Sequence, residues 1–346
     1  MYTSYIPVEK PQPPIQFDPA RELRRSLVKL AVFALITVIT HNFMYYVFLY
    51  PALILLSLLP EGTSDTVYYA VQWIINDISV YLIPALSAYL LFRNDLKAPF
   101  RYQKHSTYIP ALSIALIFFS VCFVGSLTTI ISNAIASVLD YLFGTGEIPD
   151  AMAGALPQNG SMGTFIVLIL TTAIVAPVCE ELIFRKLLLQ PLRKHGDGFA
   201  IVTTALLFGF THGNFDQFPY AFVVGLLFGL LAVNSSSVIP TMFLHTLNNL
   251  LVTVGSYSVL ILGESSTTIA IENVIGIFLN FAFWAGIPSI IIILASGMHR
   301  SDYAFQLSKA EKARIIFTSP ASYIFAVGLV LMMTDLQGIV FSALGF

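Results

Sequence analysis

Charge is what this chain has least of. Only 10% of its 346 residues are Asp, Glu, Lys or Arg, against 57% hydrophobic, whereas a water-soluble domain carries about 25% charged residues. The shortage excludes an ordinary soluble globule and points to a polytopic membrane protein. Cysteine is scarce too: Cys122 and Cys179 lie far apart in apolar runs and suggest no disulfide framework. No cleavable secretory pattern is visible, because residues 1–25 are polar, carry prolines and lack an early apolar core. The absence of a P-loop argues against ATP, and no nucleic-acid partner is expected. There is no H-E-x-x-H, the zinc-protease helix. No Ser or Cys sits in a recognisable nucleophile motif, which argues against covalent catalysis.

What is present is a series of long apolar runs. A span needs about 20 mostly apolar residues. Nine stretches qualify: roughly 27–59, 66–92, 107–143, 162–190, 198–214, 218–233, 237–260, 268–296 and 318–345. The expected architecture is all-α, a polytopic integral membrane bundle of about eight to nine transmembrane helices. All 17 Lys and Arg residues fall in four groups: 10–29, 93–104, 185–194 and 300–314. If nine spans alternate, every one lies on the same side. The opposite loops carry Glu61, Asp65, Glu147, Asp150, Asp216 and Glu264 but no Lys or Arg. By the positive-inside rule the N-terminus is cytoplasmic and the C-terminus external, in the cell membrane. Residues 1–25 read as a polar, disordered cytoplasmic tail. Segment 299–316 mixes basic and apolar residues and fits an interfacial helix or a solvated loop equally well.

Few ionisable residues lie well inside these runs: His41, Asp77, Glu180, Glu181, His212 and His245. A charge at the bilayer centre costs roughly 2.5–3.5 kcal/mol on insertion scales, so each is a functional candidate by default. Glu181 has Arg185 four residues on, on the same helix face. Glu180 points about 100° further round and needs another partner. The turn Arg193-Lys194-His195-Gly196-Asp197-Gly198 places Gly196 sixteen residues from both Glu180 and His212. An antiparallel hairpin would set these two side by side, about 24 Å from a tip projecting into the cytoplasm. His245 and Asn249 are four apart and share a face. Gly209 with Gly213, and Gly225 with Gly229, give two G-x-x-x-G spacings that permit close helix approach. His41 reads as a hydrogen-bonded packing residue. Asp77 with Asn76 reads as a second polar patch that completes no mechanism.

One Glu, two His and an Asn on one side of the membrane suit water activation. A carboxylate serves as general base, and imidazoles serve as metal ligands or oxyanion stabilisers. Two His, His212 and His245, leave a zinc site one protein ligand short, so Glu180 or Asn249 would have to help. One divalent metal such as zinc and a metal-independent mechanism both stay open. The competing reading is a transporter or scaffold whose buried Glu and His relay protons or hold a partner.

The same residues resemble the three motifs of the CPBP family, the CAAX-protease and bacteriocin-processing (ABI) intramembrane proteases. The family pattern E-E-x-x-x-R, F-x-x-x-H and H-x-x-x-N appears as Glu180-Glu181-Leu182-Ile183-Phe184-Arg185, then Phe208 to His212, then His245 to Asn249. The resemblance divides the chain into a tail (1–25), N-terminal membrane helices (26–160), a motif-bearing core (161–257) and C-terminal membrane helices (258–346). It implies an intramembrane endopeptidase acting on a peptide or membrane-anchored protein. Eukaryotic relatives remove the last three residues of prenylated CaaX proteins. Many bacterial relatives are linked to peptide maturation or bacteriocin self-immunity. It further implies that Glu180 activates water beside His212, that His245 and Asn249 bind the oxyanion or a metal, and that Glu181 and Arg185 hold the motif helix.

Overall fold

A computed structural model describes residues 18–58, 65–97, 111–143, 161–214, 217–296 and 307–333, and all regular structure among them is helical. Helix α1 (Pro19–Leu56) and α2 (Asp65–Leu96) each contain a π turn, at Thr40–Met44 and Ile78–Leu82. Helix α3 is Ala111–Phe143. Helix α4 (Met162–His195) carries two π stretches, Ile169–Val175 and Leu182–Leu189, on either side of Ala176–Glu181. Then come α5 (Asp197–Phe210), α6 (Gln217–Ser235), α7 (Ile239–Leu262), α8 (Ser266–Ser296), α9 (Lys309–Thr318) and α10 (Pro320–Met332).

Among the described residues six helices are long and apolar enough to cross a membrane: α1, α2, most of α3, α4, α6 and α8. A seventh is added if α9 and α10, which meet at a 73° bend, make one span. These helices make up the all-α polytopic bundle expected from the sequence, and two of the nine apolar runs, α5 and α7, fall outside this group. Helix α5 has 14 residues, about 21 Å, against a hydrocarbon core of about 30 Å. Helix α7 has the length, at 24 residues, but His245, Asn248 and Asn249 dilute its apolar character. Residues 334–345 of the ninth stretch lie outside the described residues.

The two largest of four apolar cores hold most of the bundle. One joins α1, α2, α4, α5 and α10 through Leu30, Phe33, Phe92, Leu188, Leu207 and Phe208. The other joins α3, α6, α7 and α8 through Ile117, Phe118, Val224, Phe228, Leu244 and Ala282. Helices α5 and α6 bridge them at close range. A Cβ at Gly225 would meet Ala205 Cα at 3.0 Å, and one at Gly229 would meet Ile201 Cγ2 at 3.0 Å, as the glycine spacing leads one to expect.

Two expectations need correction at the basic end. The tail does not run to residue 25. Asp18 caps α1 by accepting from the Ala20 and Arg21 amides, Pro19 takes the first turn, and Leu23 is fully buried. Residues 1–17 lie outside the described residues. Nor does the α4–α5 turn project freely, since Arg193, His195 and Asp197 are buried. His195 Nε2 pairs with Ser26 Oγ at 2.8 Å, Lys194 donates to Glu22 and Asp95, and Lys312 donates to the His195 carbonyl at 2.7 Å. Gly196 turns the chain at φ 120°, ψ 136°, a conformation open to glycine and strained for other residues. The start of α1, the end of α2, the α4–α5 turn and α9 therefore form one polar knot. That knot gathers Lys29, Lys194 and Lys312 at a single end of the bundle, in line with the charge segregation read from the sequence.

Candidate active site

The two adjacent carboxylates occupy the short α-helical stretch between the two π stretches of α4. Glu181 and Arg185 are both 0% exposed, with Arg185 Nε 3.2 Å from Glu181 Oε2. The pair is an ion contact rather than an aligned hydrogen bond, because neither atom makes one. The guanidinium also lies over the Phe208 ring, 5.1 Å from its centroid, a cation–π placement. Glu180 is the reachable carboxylate, with 14% of its side chain exposed.

Helix α7 brings His245 between the two. His245 Nδ1 is 3.2 Å from Glu181 Oε1, and Nε2 is 3.6 Å from Glu180 Oε2. Its ring is wedged between Phe208 of the first core and Phe228 of the second, with centroids 5.8 and 5.4 Å away. The site thus sits on the seam between the cores. A carboxylate can only accept, so Nδ1 carries the hydrogen toward Glu181, and Nε2 faces Glu180.

One turn further along, Asn249 Nδ2 donates to the Thr172 carbonyl at 3.0 Å, and its Oδ1 accepts from Asn248 at 3.3 Å. The cause lies in α4. Within the π stretch the Ala176 amide bonds to Thr171 O. The next amide in that register belongs to residue 177, a proline without an N–H. The Thr172 carbonyl loses its helical donor, and Asn249 supplies one. Asn248 reaches the other way, donating to Tyr220 OH at 2.8 Å.

His212 lies just beyond the last residue of α5. Its Nδ1 is 2.8 Å from the Phe208 carbonyl, which can only accept, so Nδ1 is the protonated nitrogen and Nε2 keeps a lone pair. Its ring packs edge-on against Phe208, centroids 4.9 Å apart. The hairpin expected from Gly196 forms, with Phe184 of α4 against Phe208 of α5 at 5.2 Å. It brings His212 and His245 onto the same phenyl ring. Among the described contacts none joins Glu180 directly to His212.

One residue escaped sequence reasoning, and another was read as a separate patch. Tyr81 donates to Glu180 Oε1 at 3.1 Å, and Asp77 lies within electrostatic reach of Glu180. The polar patch at Asp77 is therefore an edge of this site. The position of Tyr81, about a hundred residues upstream and in a π turn, left no periodic signal. His41 is also close by: a Cβ on Gly213 would meet its Nε2 at 2.8 Å.

Among the described residues no three His, Cys, Asp or Glu side chains converge to hold a metal ion. His212 and His245 each direct Nδ1 to an oxygen, which leaves Nε2 as the outward-facing nitrogen of each ring.

Fold and site together define a multi-pass helical membrane protein with a buried Glu–His–Arg centre. Residues 162–251 match the sequence model of the family described as type II CAAX prenyl endopeptidase Rce1-like. The matched core is similar to the CPBP/CAAX proteases, a family of endopeptidases. The match covers about a quarter of the chain and contains all three motifs. No curated protein and no solved structure matches.

Proposed function

We propose that this protein is an intramembrane endopeptidase in which Glu180 is the general base for attack of water on a peptide carbonyl. The observation that carries the reading is His245 standing between the two carboxylates, Nδ1 on Glu181 and Nε2 3.6 Å from Glu180 Oε2. In neutral His245 with Nδ1 protonated, Nε2 and Glu180 Oε2 are both acceptors and cannot bond each other directly, but a water can donate one hydrogen to each. The reacting water is assigned that place.

In the reaction Glu180 takes one proton from this water, and the oxygen forms a bond to the scissile carbonyl carbon. The tetrahedral adduct then expels the amine, which receives the proton held by Glu180. One hydrogen of the Asn249 amide is spent on Thr172 O, and the second is the donor assigned to the developing oxyanion. Glu181 and Arg185 take a positioning role, because both are fully buried and Glu181 fixes the tautomer of His245. His212, with its free Nε2, is assigned to hold water or substrate on the Phe208 side. The substrate is a peptide or membrane-anchored protein entering from the bilayer, and the polar knot with its lysines faces the cytoplasm.

Purified protein in mixed micelles, offered a quenched peptide library, should release fluorescence. His245→Ala should reduce that rate at least about 100-fold, the scale of a lost acid–base partner. Turnover by His245→Ala at the wild-type rate would remove the residue from the reaction and with it this placement of the water.

A further inference from the structure

Helices α1 and α2 lie outside the family-matched segment. Each leaves the α register once, at Thr40–Met44 and Ile78–Leu82, and the two π turns pack against each other. A π turn inserts one residue into the ladder, and such turns are frequent at functional sites. The extra residue rotates the remainder of the helix by about 100°. In α2 this widened turn carries Tyr81, whose hydroxyl donates to Glu180 Oε1 at 3.1 Å. The other Glu180 oxygen faces His245. The two oxygens are therefore divided: one is held by α2 and one is turned to the reacting side.

The turn is itself held in place. Ser79 is fully buried and donates to the Ile75 carbonyl at 2.9 Å. Tyr81 also packs against the first core, which contains Phe92 and Leu188. On the α1 side, His41 reaches the chain at Gly213, next to His212. Paired π turns thus meet two of the three motifs from outside them.

We propose that Tyr81 is a positioning residue for Glu180: it fixes the carboxylate through one oxygen and leaves the other free for water. The proposal rests on Glu180 being the base. The donor comes from outside the motif segment, so the N-terminal helices are part of the working site rather than a detachable anchor.

The experiment compares kcat and KM for wild type, Tyr81→Phe, Glu180→Asp and the double variant, with Glu180→Gln alongside, on a fluorogenic peptide. A hydrogen bond to a charged group is worth a factor of about 10–100 in equilibrium terms. Tyr81→Phe should lower kcat about 10-fold or more, with KM within about twofold and thermal stability retained. Shortening residue 180 by one methylene takes its carboxylate out of reach of Tyr81. In the Glu180→Asp background Tyr81→Phe should therefore change kcat by less than about twofold. A structural role for Tyr81 would lower kcat by the same factor in both backgrounds, and that result overturns the proposal. So does wild-type kcat in Tyr81→Phe while Glu180→Gln is inactive, which leaves Glu180 as base. Wild-type turnover by Glu180→Gln would overturn both.

Discussion

Breaking the Glu181–Arg185 pair gives the sharpest energetic prediction. Both side chains are 0% exposed, and the Arg185 guanidinium has no hydrogen-bond partner beyond its ion contact and the Phe208 face. Removing one member of a buried pair leaves the other charge uncompensated, at a cost of about 3–5 kcal/mol. Because Nε and Oε2 touch without an aligned hydrogen bond, Arg185→Met and Glu181→Gln should each cost near the lower end, about 3 kcal/mol. Glu181→Gln/Arg185→Met removes both charges and keeps most of the volume. It should cost less than the sum of the single changes by at least about 2 kcal/mol. Equilibrium unfolding in mixed micelles, followed through Trp73 and Trp284, reads all four proteins. Additive losses, or single losses below about 1 kcal/mol, would mean that the pair does not hold the motif helix and that its burial has been misjudged.

Other outcomes depend on separate parts of the molecule. Gly225→Leu drives a side chain into the Ala205 backbone, 3.0 Å from the would-be Cβ, and should cost about 1–3 kcal/mol by overpacking; unchanged unfolding would show that α5 and α6 do not meet there. A cysteine at Ser4 and another at Lys309, each in a cysteine-free background, should react with an impermeant reagent only from the cytoplasmic side, because α9 docks on the same polar knot as the start of α1. Labelling of either from outside would invert the orientation.

Parts of this site were legible because they obey helical spacing. Glu181 with Arg185, and His245 with Asn249, lie four apart, and the hairpin about Gly196 follows from equal distances along two helices. Composition alone made an all-helical membrane protein the natural expectation. What stayed hidden lies where the register breaks. Tyr81 sits on a π turn in a different helix, so no periodicity ties it to Glu180. The carbonyl that engages Asn249 is freed by Pro177 acting together with a π stretch, a coincidence of register that hydropathy does not encode. The apolar run 198–214 also reads longer than helix α5, which stops at Phe210 before His212. The basic turn at Arg193–Asp197 reads as a solvated tip, yet partners from α1, α2 and α9 bury it.

The most direct measurement is turnover of a fluorogenic peptide by Glu180→Gln, alongside its abundance in the membrane. The amide keeps the shape and accepts from Tyr81 through its oxygen, but it cannot take a proton from water. The account predicts wild-type abundance with the rate lowered about 10²–10⁴-fold, the contribution of a general base. Cleavage by Glu180→Gln at the wild-type rate would contradict it.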